Sequence, residues 1–252
     1  MEENKILIFD VWGDYAHFRR FYTTTSPLSF PIPPRTALCG LIGAIIGLEK
    51  EDNDYLNYFS TESVHIALKL LNPIKKAVIA ENLIDTKTAR GPGMNLITNR
   101  TQIRFEFLKD QKYRIYFYCS NKEDTVYQKL KFNLQHHKTV YTPCLGLSEN
   151  IANYKFKGEF EINTLSCEDS YISIHTVLPL QKISEKEGIM FESEGEYFSI
   201  NMPVELNTQR VVVKYRDIIF DRTGRPIKTK LIEPYGNINY PNGGSENIAF
   251  IE

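Results

Sequence analysis

Three groups of residues carry chemistry suited to a polyanion. The first is Asp14–Thr25, DYAHFRRFYTTT, which sets His17, Arg19 and Arg20 among Tyr15, Phe18, Phe21 and Tyr22. Guanidinium groups for phosphates and flat rings for bases are what single-stranded RNA binding needs. The same pattern also fits core aromatics with arginines closing a sheet edge, and His17 alone reads as a structural histidine. The second group is the loop Asp85–Thr101, DTKTARGPGMNLITNRT, broken by Gly91-Pro92-Gly93 and bearing Lys87, Arg90, Asn95 and Arg100, with Arg104 just beyond. From Thr86 to Tyr118 seven basic residues stand against Glu106 and Asp110, a local charge of about +5 in a chain of net charge −1. An ordinary surface loop with solvated charges is the alternative. The third group is Tyr141–Asn150, YTPCLGLSEN, where backbone amides around Gly146, Leu147 and Ser148 can face a phosphate. Without the lysine and spacing of GxxxxGK[ST], that loop gives no support to nucleotide hydrolysis.

Catalysis has one candidate constellation, His136, His137 and Lys138. Histidine titrates near neutrality and serves acid–base steps on an RNA phosphodiester. The same three residues end a helical stretch, where cations suit the negative end of the helix dipole, and the sequence favours that plainer role. Cys39, Cys119, Cys144 and Cys167 are scattered without a CxxC pair, so neither a zinc site nor a disulfide framework is expected. No paired carboxylates or metal-ligand spacing appear, and no metal or cofactor is expected.

The elements that must position these groups follow from periodicity. Lys5–Trp12 is a β-branched and aromatic first strand, with Leu7, Phe9 and Val11 on one face. Four prolines (Pro27, Pro31, Pro33, Pro34) then hold the chain extended before the charge-free run Ala37–Leu48. That run is far shorter than the roughly 20 residues of a membrane span, so it reads as a buried helix, with Thr36 as N-cap. Gly40, Gly43 and Gly47 recur at helical spacing and imply close approach to a neighbouring element. Glu49–Asp54 reads as an acidic link, Val64–Leu71 as a second strand and Ala77–Ile84 as an extended segment. Gln102–Leu108 and Lys112–Cys119 read as a hairpin turning at Lys109-Asp110-Gln111. Asp124–Lys138 is an amphipathic helix and Lys155–Ile162 a strand. Beyond Cys167, short alternating segments suggest a small antiparallel β appendage. Ser184–Glu196, with five glutamates, is expected to face solvent or a protein partner, and the Asn/Gly-rich chain from Tyr235 onward reads as loop or a partner-ordered end.

The first strand, the proline-rich turn with PPRTALCGLIGAIIGL, and YTPCLGLSEN together resemble the fifth Cas family of CRISPR-associated proteins, of type I guide-RNA effector complexes, most like its type I-B branch. The resemblance runs in order over roughly the first 160 residues. It implies a hairpin thumb over the guide RNA, placed at the Lys87–Arg100 tip. RNA contacts are then implied at Arg19, Arg20, Arg90–Arg104 and Gly146–Ser148. The partners implied are the guide crRNA, the seventh-family backbone subunit, the eighth-family large subunit and, through the complex, target DNA.

The expected fold is α+β: a ferredoxin-like (RRM-like) domain over 1–165 with an inserted β-hairpin thumb at about 86–118, a small C-terminal antiparallel β domain over 166–235, and a tail over 236–252. The RNP1 pattern is absent. The expected function is a non-catalytic subunit gripping the 5′ handle of the guide. The alternatives are a metal-independent endoribonuclease cutting the repeat and a protein-interaction scaffold without RNA. The first uses a tyrosine, a lysine and a histidine in the family's type I-C branch; His136 or His137 and Lys138 fit the last two roles, and no tyrosine is placed. Hydrophobic content of 42% and charged content of 24% are those of a globular chain, and net charge −1 excludes indiscriminate coating of nucleic acid. The acidic start MEENKILIF lacks a signal-peptide layout, so a cytoplasmic, non-membrane protein is expected.

Overall fold

The computed structural model describes residues 4–23, 27–49, 51–84, 100–120 and 125–252. In chain order the first elements are β1 (Lys5–Ala16), α1 (Arg35–Ile46), a 3-10 segment (Glu51–Phe59), β2 (Val64–Leu70), β3 (Lys76–Ile84), β4 (Arg100–Cys119), α2 (Thr125–Gln135) and β5 (Asn153–Leu165). They are followed by β6 (Ile172–Ile174), β7 (Leu178–Pro179), β8 (Ile189–Met190), β9 (Tyr197–Leu206), β10 (Val212–Asp221), β11 (Ile227–Thr229), β12 (Tyr235–Asn239) and β13 (Ser245–Ile248). The architecture is mixed, mostly antiparallel sheet, with two α-helices among the described residues.

β1 is apolar at consecutive positions because it is buried on both faces. Leu7, Phe9 and Val11 meet Leu38, Ile42 and Ile45 of α1 and Leu130 and Leu134 of α2 in the main core. Ile6 and Ile8 meet Tyr116, Ile162, Ile238 and Ile248 on the opposite side. Each such side chain contributes roughly 1.5–3 kcal/mol on burial. The principal sheet runs β13-β12-β5-β1-β4-β2, with β3 paired to the first half of β4. β9 and β10 form a second sheet with β7, yet Met202, Val204, Ile218 and Phe220 reach into the main core. A smaller core around Ile174, Leu178, Ile183 and Ile227 sits under the third sheet, β6-β11-β8.

Several expectations are corrected. Residues 109–111 do not turn. β4 runs unbroken from Arg100 to Cys119, because Lys109 and Gln111 pair with Tyr15 and Gly13 of β1. The hairpin is instead β3 with the first half of β4, from Lys76↔Leu108 to Ile84↔Arg100. Its tip, with Lys87, Arg90 and Asn95, lies outside the described residues. The chain after Tyr235 is not loop: β12 and β13 extend the principal sheet beside β5. Thr36 is not the N-cap, since α1 starts at Arg35 with Pro34 in the cap position, its carbonyl accepting from Ala37 N at 2.9 Å and Leu38 N at 3.1 Å. The supposed acidic link is largely the 3-10 segment that brings Tyr55 and Phe59 onto α1. The acidic stretch does face solvent, as expected, with its five glutamates exposed, and three of them carry ion pairs. Glu192, Glu194 and Glu196 pair with Lys228, Arg225 and Arg222 at 2.7, 3.1 and 2.5 Å.

Candidate nucleic-acid interface

β1 ends at Ala16, and the chain then leaves the sheet to pair with residues 28–30. Arg20 N donates to Leu28 O at 2.9 Å and Phe30 N to Phe18 O at 2.7 Å. Alternation along this ribbon sends Phe18 into the core and Arg19 out. Arg20 turns away, its guanidinium donating to Ser29 O at 3.1 Å and Tyr22 Oη at 2.9 Å. It lines a separate groove with Lys75, Lys76, Arg222, Phe198 and Phe220. The two arginines therefore serve different surfaces.

The loop after α2 folds back onto the same ribbon, where His17 N donates to Leu145 O at 3.0 Å. This approach needs glycine at 146: φ is +95°, and a Cβ would fall 1.8 Å from His17 O. Leu145 N to Asn150 O (2.8 Å) and Ala152 N to Pro143 O (2.9 Å) close the loop. Gly146 and Leu147 face the groove beside Arg19; Ser148 does not, and its hydroxyl donates to Glu149 Oε2 at 3.0 Å.

The groove holds about 570 Å³ and is walled by Arg19, Phe21, Tyr55, Gly146, Leu147 and Arg210, with α1 as its floor. Arg210 arrives from the β9–β10 turn, whose backbone reaches φ +60° at that residue. No carboxylate lines the groove among the described residues. Two cations without an acidic counterpart among the described residues, next to the rings of Phe21 and Tyr55, suit a phosphate backbone with bases. A second cavity of about 360 Å³ continues along α1, sharing Gly40, Ala44 and Tyr55 and adding Gly43, Leu48 and Tyr141.

His17, also at the groove, is buried, and its Nδ1 lies 2.8 Å from Glu106 O. A carbonyl only accepts, so Nδ1 carries the proton; Nε2 has no protein partner among the described residues. Arg100 and Arg104 lie on one exposed face of the β4 arm, opposite Ile84 and Ala80, and do not line the groove. The basic patch is smaller than its residue count. Arg114 is committed to Asp10 at 2.7 Å, and Lys112 lies over Trp12.

The catalytic candidates form no convergent trio. His136 Nδ1 is 2.8 Å from Phe132 O, the His137 ring stacks on Tyr154 at 4.5 Å, and Lys138 Nζ lies over Phe132. A tyrosine is nearby, but Tyr154 Oη donates to Lys138 O at 2.9 Å, and burial raises its pKa, so it is a poor source of phenolate. Among the described residues no three His, Cys, Asp or Glu side chains are grouped to hold a metal ion.

Sequence reasoning missed Arg210, Tyr55 and the open face at Gly40. Nothing local in the sequence ties Arg210 to Arg19. Tyr55 sat just past a run read as solvated, and Gly40 was read as a packing contact.

Residues 6–118 match the family model described as CRISPR-associated protein (Cas_Cas5). No curated protein matches the sequence significantly. The fold is similar to a chain of a CRISPR RNA-guided surveillance complex, with a TM-score of 0.54 and 10% identity over 89% of this chain and 91% of that one. It is equally similar to a CRISPR protein from Archaeoglobus fulgidus, with a TM-score of 0.54 and 14% identity over 98% of this chain and 100% of the other. At these identities the structural likeness is one of fold. The matched segment runs from β1 through β4 and takes in the proline turn, α1 and both arms of the hairpin, so over this part the chain is similar to the Cas5 family of CRISPR-associated proteins.

Proposed function

We propose that this chain is a non-catalytic RNA-binding subunit of a type I CRISPR effector (Cascade) complex, of the I-B branch, that grips and caps the 5′ handle of the guide crRNA. The observation that carries it is the groove in which Arg19, Gly146, Leu147 and Arg210 come together with Phe21 and Tyr55 and, among the described residues, no carboxylate. The family match over residues 6–118 and the fold shared with a chain of an RNA-guided surveillance complex support the same reading.

The ferredoxin-like (RRM-like) description of residues 1–165 rests on the all-antiparallel order β5-β1-β4-β2, with α1 leaving β1 and α2 leaving β4. The β3–β4 arms are the base of the thumb in this proposal, and Arg100 and Arg104 its basic face. Contacts with the seventh-family backbone subunit and the eighth-family large subunit, and target DNA reached through the complex, belong to the same proposal. So does a cytoplasmic location, supported by cysteines scattered without a CxxC pair. No helix among the described residues is long and apolar enough to cross a membrane.

The test incubates the full chain, without metal, with labelled RNA of its own CRISPR repeat. A gel shift reads binding and a denaturing gel reads cleavage. Handle-dependent retention, lost in Arg19→Ala/Arg210→Ala and without cut product, is the expected result. Cleavage that disappears in His136→Ala/His137→Ala would instead establish an endoribonuclease.

A further inference from the structure

Gly40 is the least explained residue of α1. Mid-helix glycine weakens a helix relative to alanine, so the fold should have a use for it. Gly47 has one, since a Cβ there would fall 2.6 Å from Val140, whereas a Cβ at 43 would make only ordinary contacts with Leu48 and Tyr55 at 3.9 Å. At Gly40 a Cβ would meet nothing within 4 Å, and the residue is exposed. Protein packing therefore does not demand glycine at this position. What its bare surface does is keep open the point where the arginine groove and the second cavity join.

Two tyrosines line that second cavity. Tyr55 comes from the 3-10 segment and Tyr141 from the chain after α2, where Tyr141 N donates to Ala44 O at 3.0 Å and Val140 N to Ile45 O at 3.3 Å. These backbone bonds fix Tyr141 beside α1 while its side chain stays 49% exposed. The cavity is flat-floored and apolar at this end. At its other end it opens on Arg19 and Arg210, which face no carboxylate among the described residues. A ligand matching both ends carries an anionic backbone with flat rings beside it. A volume of about 360 Å³ sits at the low end of the roughly 300–1,000 Å³ range of ligand pockets, room for one base rather than a stack.

We propose that Gly40, Ala44, Tyr55 and Tyr141 form a slot for one unstacked nucleobase of the bound strand, with Arg19 and Arg210 on the adjoining phosphates; the slot rests on the RNA-binding reading above. Stacking on tyrosine is tolerant of base identity, so the slot sets the register of the strand more than its sequence. The glycine keeps the ring's path clear.

An abasic scan of the repeat RNA tests it. Each nucleotide in turn is replaced by an abasic residue, and affinity is measured for the full-length wild type, Gly40→Leu and Tyr141→Ala. One abasic position is expected to cost the wild type about 10-fold, in keeping with the loss of one stacked base. Both variants should bind intact RNA about 10-fold more weakly and lose that positional penalty, while Tyr141→Phe retains it. Thermal midpoints at or above wild type for Gly40→Leu would show that it is folded; Tyr141→Ala gives the same readout without filling the helix face. Binding that requires Arg19 and Arg210 but ignores Gly40→Leu and Tyr141→Ala overturns the slot alone. No RNA binding by the wild type, or binding indifferent to both arginines, overturns the RNA reading and the slot together.

Discussion

Arg35 donates from Nε to Oε1 of Glu252 at 2.6 Å, joining the first residue of α1 to the last residue of the sequence. The guanidinium is fully buried and also donates to Phe59 O at 2.9 Å, Val64 O at 2.6 Å and Val204 O at 3.3 Å. One side chain thus ties α1 to the 3-10 segment, β2 and β9, and Glu252 in turn accepts from Ile66 N at 2.9 Å. Arg35→Met strands a buried carboxylate and three carbonyls, and a loss of about 3–5 kcal/mol is expected. Glu252→Gln keeps the shape and a hydrogen-bonding oxygen, and should cost less, about 1–3 kcal/mol. Urea unfolding of both variants checks the order; equal small losses would mean the pair contributes little.

A second carboxylate makes stability depend on acid. Glu246 accepts from Lys69 Nζ at 2.5 Å, Tyr116 Oη at 2.6 Å and Tyr240 Oη at 2.5 Å. Burial alone would raise its pKa, but these three donors outweigh it and hold the group at about 2, down from an ordinary 4.5. A depressed carboxylate pKa stabilises the fold fully above the unfolded value and loses that contribution as pH falls through the folded one. The contribution is on the order of 2 kcal/mol once solvent screening is allowed for. Unfolding midpoints should fall between pH 4.5 and pH 2, and Glu246→Gln should flatten that fall. A variant with the same acid slope as wild type would place the dependence elsewhere.

The elements with strong period or clean boundaries were legible: β1, the helix after the prolines, β2 and α2 all announce themselves locally. What was hidden depends on partners distant in sequence. Lys109-Asp110-Gln111 has turn-like composition, and Asp110 does adopt φ +53°, but pairing with β1 keeps the strand running. The strands after Tyr235 are obscured by asparagine and glycine, since their apolar members Ile238 and Ile248 are few and face a core built by β1 and β5. Half of the groove was readable in Arg19 and the Gly146 loop. The other half was not, because the β9–β10 turn that delivers Arg210 belongs to a different sheet.

The glycines of α1 should respond in opposite directions. Gly40→Ala adds a Cβ into open space and should stabilise by about 1 kcal/mol. Gly47 ends the helix at φ +77°, with its N–H and that of Leu48 both donating to Gly43 O at 2.9 Å. Gly47→Ala meets both an unfavourable backbone region and the Val140 side chain, and a loss of about 1–3 kcal/mol is expected. Thermal melts of the two single variants read the contrast directly. A destabilised Gly40→Ala would mean that α1 packs more tightly there than its open face implies.

The arginines make a prediction about salt rather than affinity alone. Each phosphate neutralised on a single strand contributes about −0.7 to the slope of log K against log salt. Arg19 and Arg210 face the groove without carboxylate neighbours among the described residues, so each removal should reduce the slope by about 0.7, and the double variant by about 1.4. Arg114→Gln is the contrasting case: its partner Asp10 is buried, and its loss should lower stability while leaving the slope unchanged. Titration of repeat RNA at several salt concentrations, with unfolding measured in parallel, separates the two effects. An unchanged slope in Arg19→Ala/Arg210→Ala would show that the phosphates lie elsewhere, with Arg100 and Arg104 of the hairpin arm the next residues to replace.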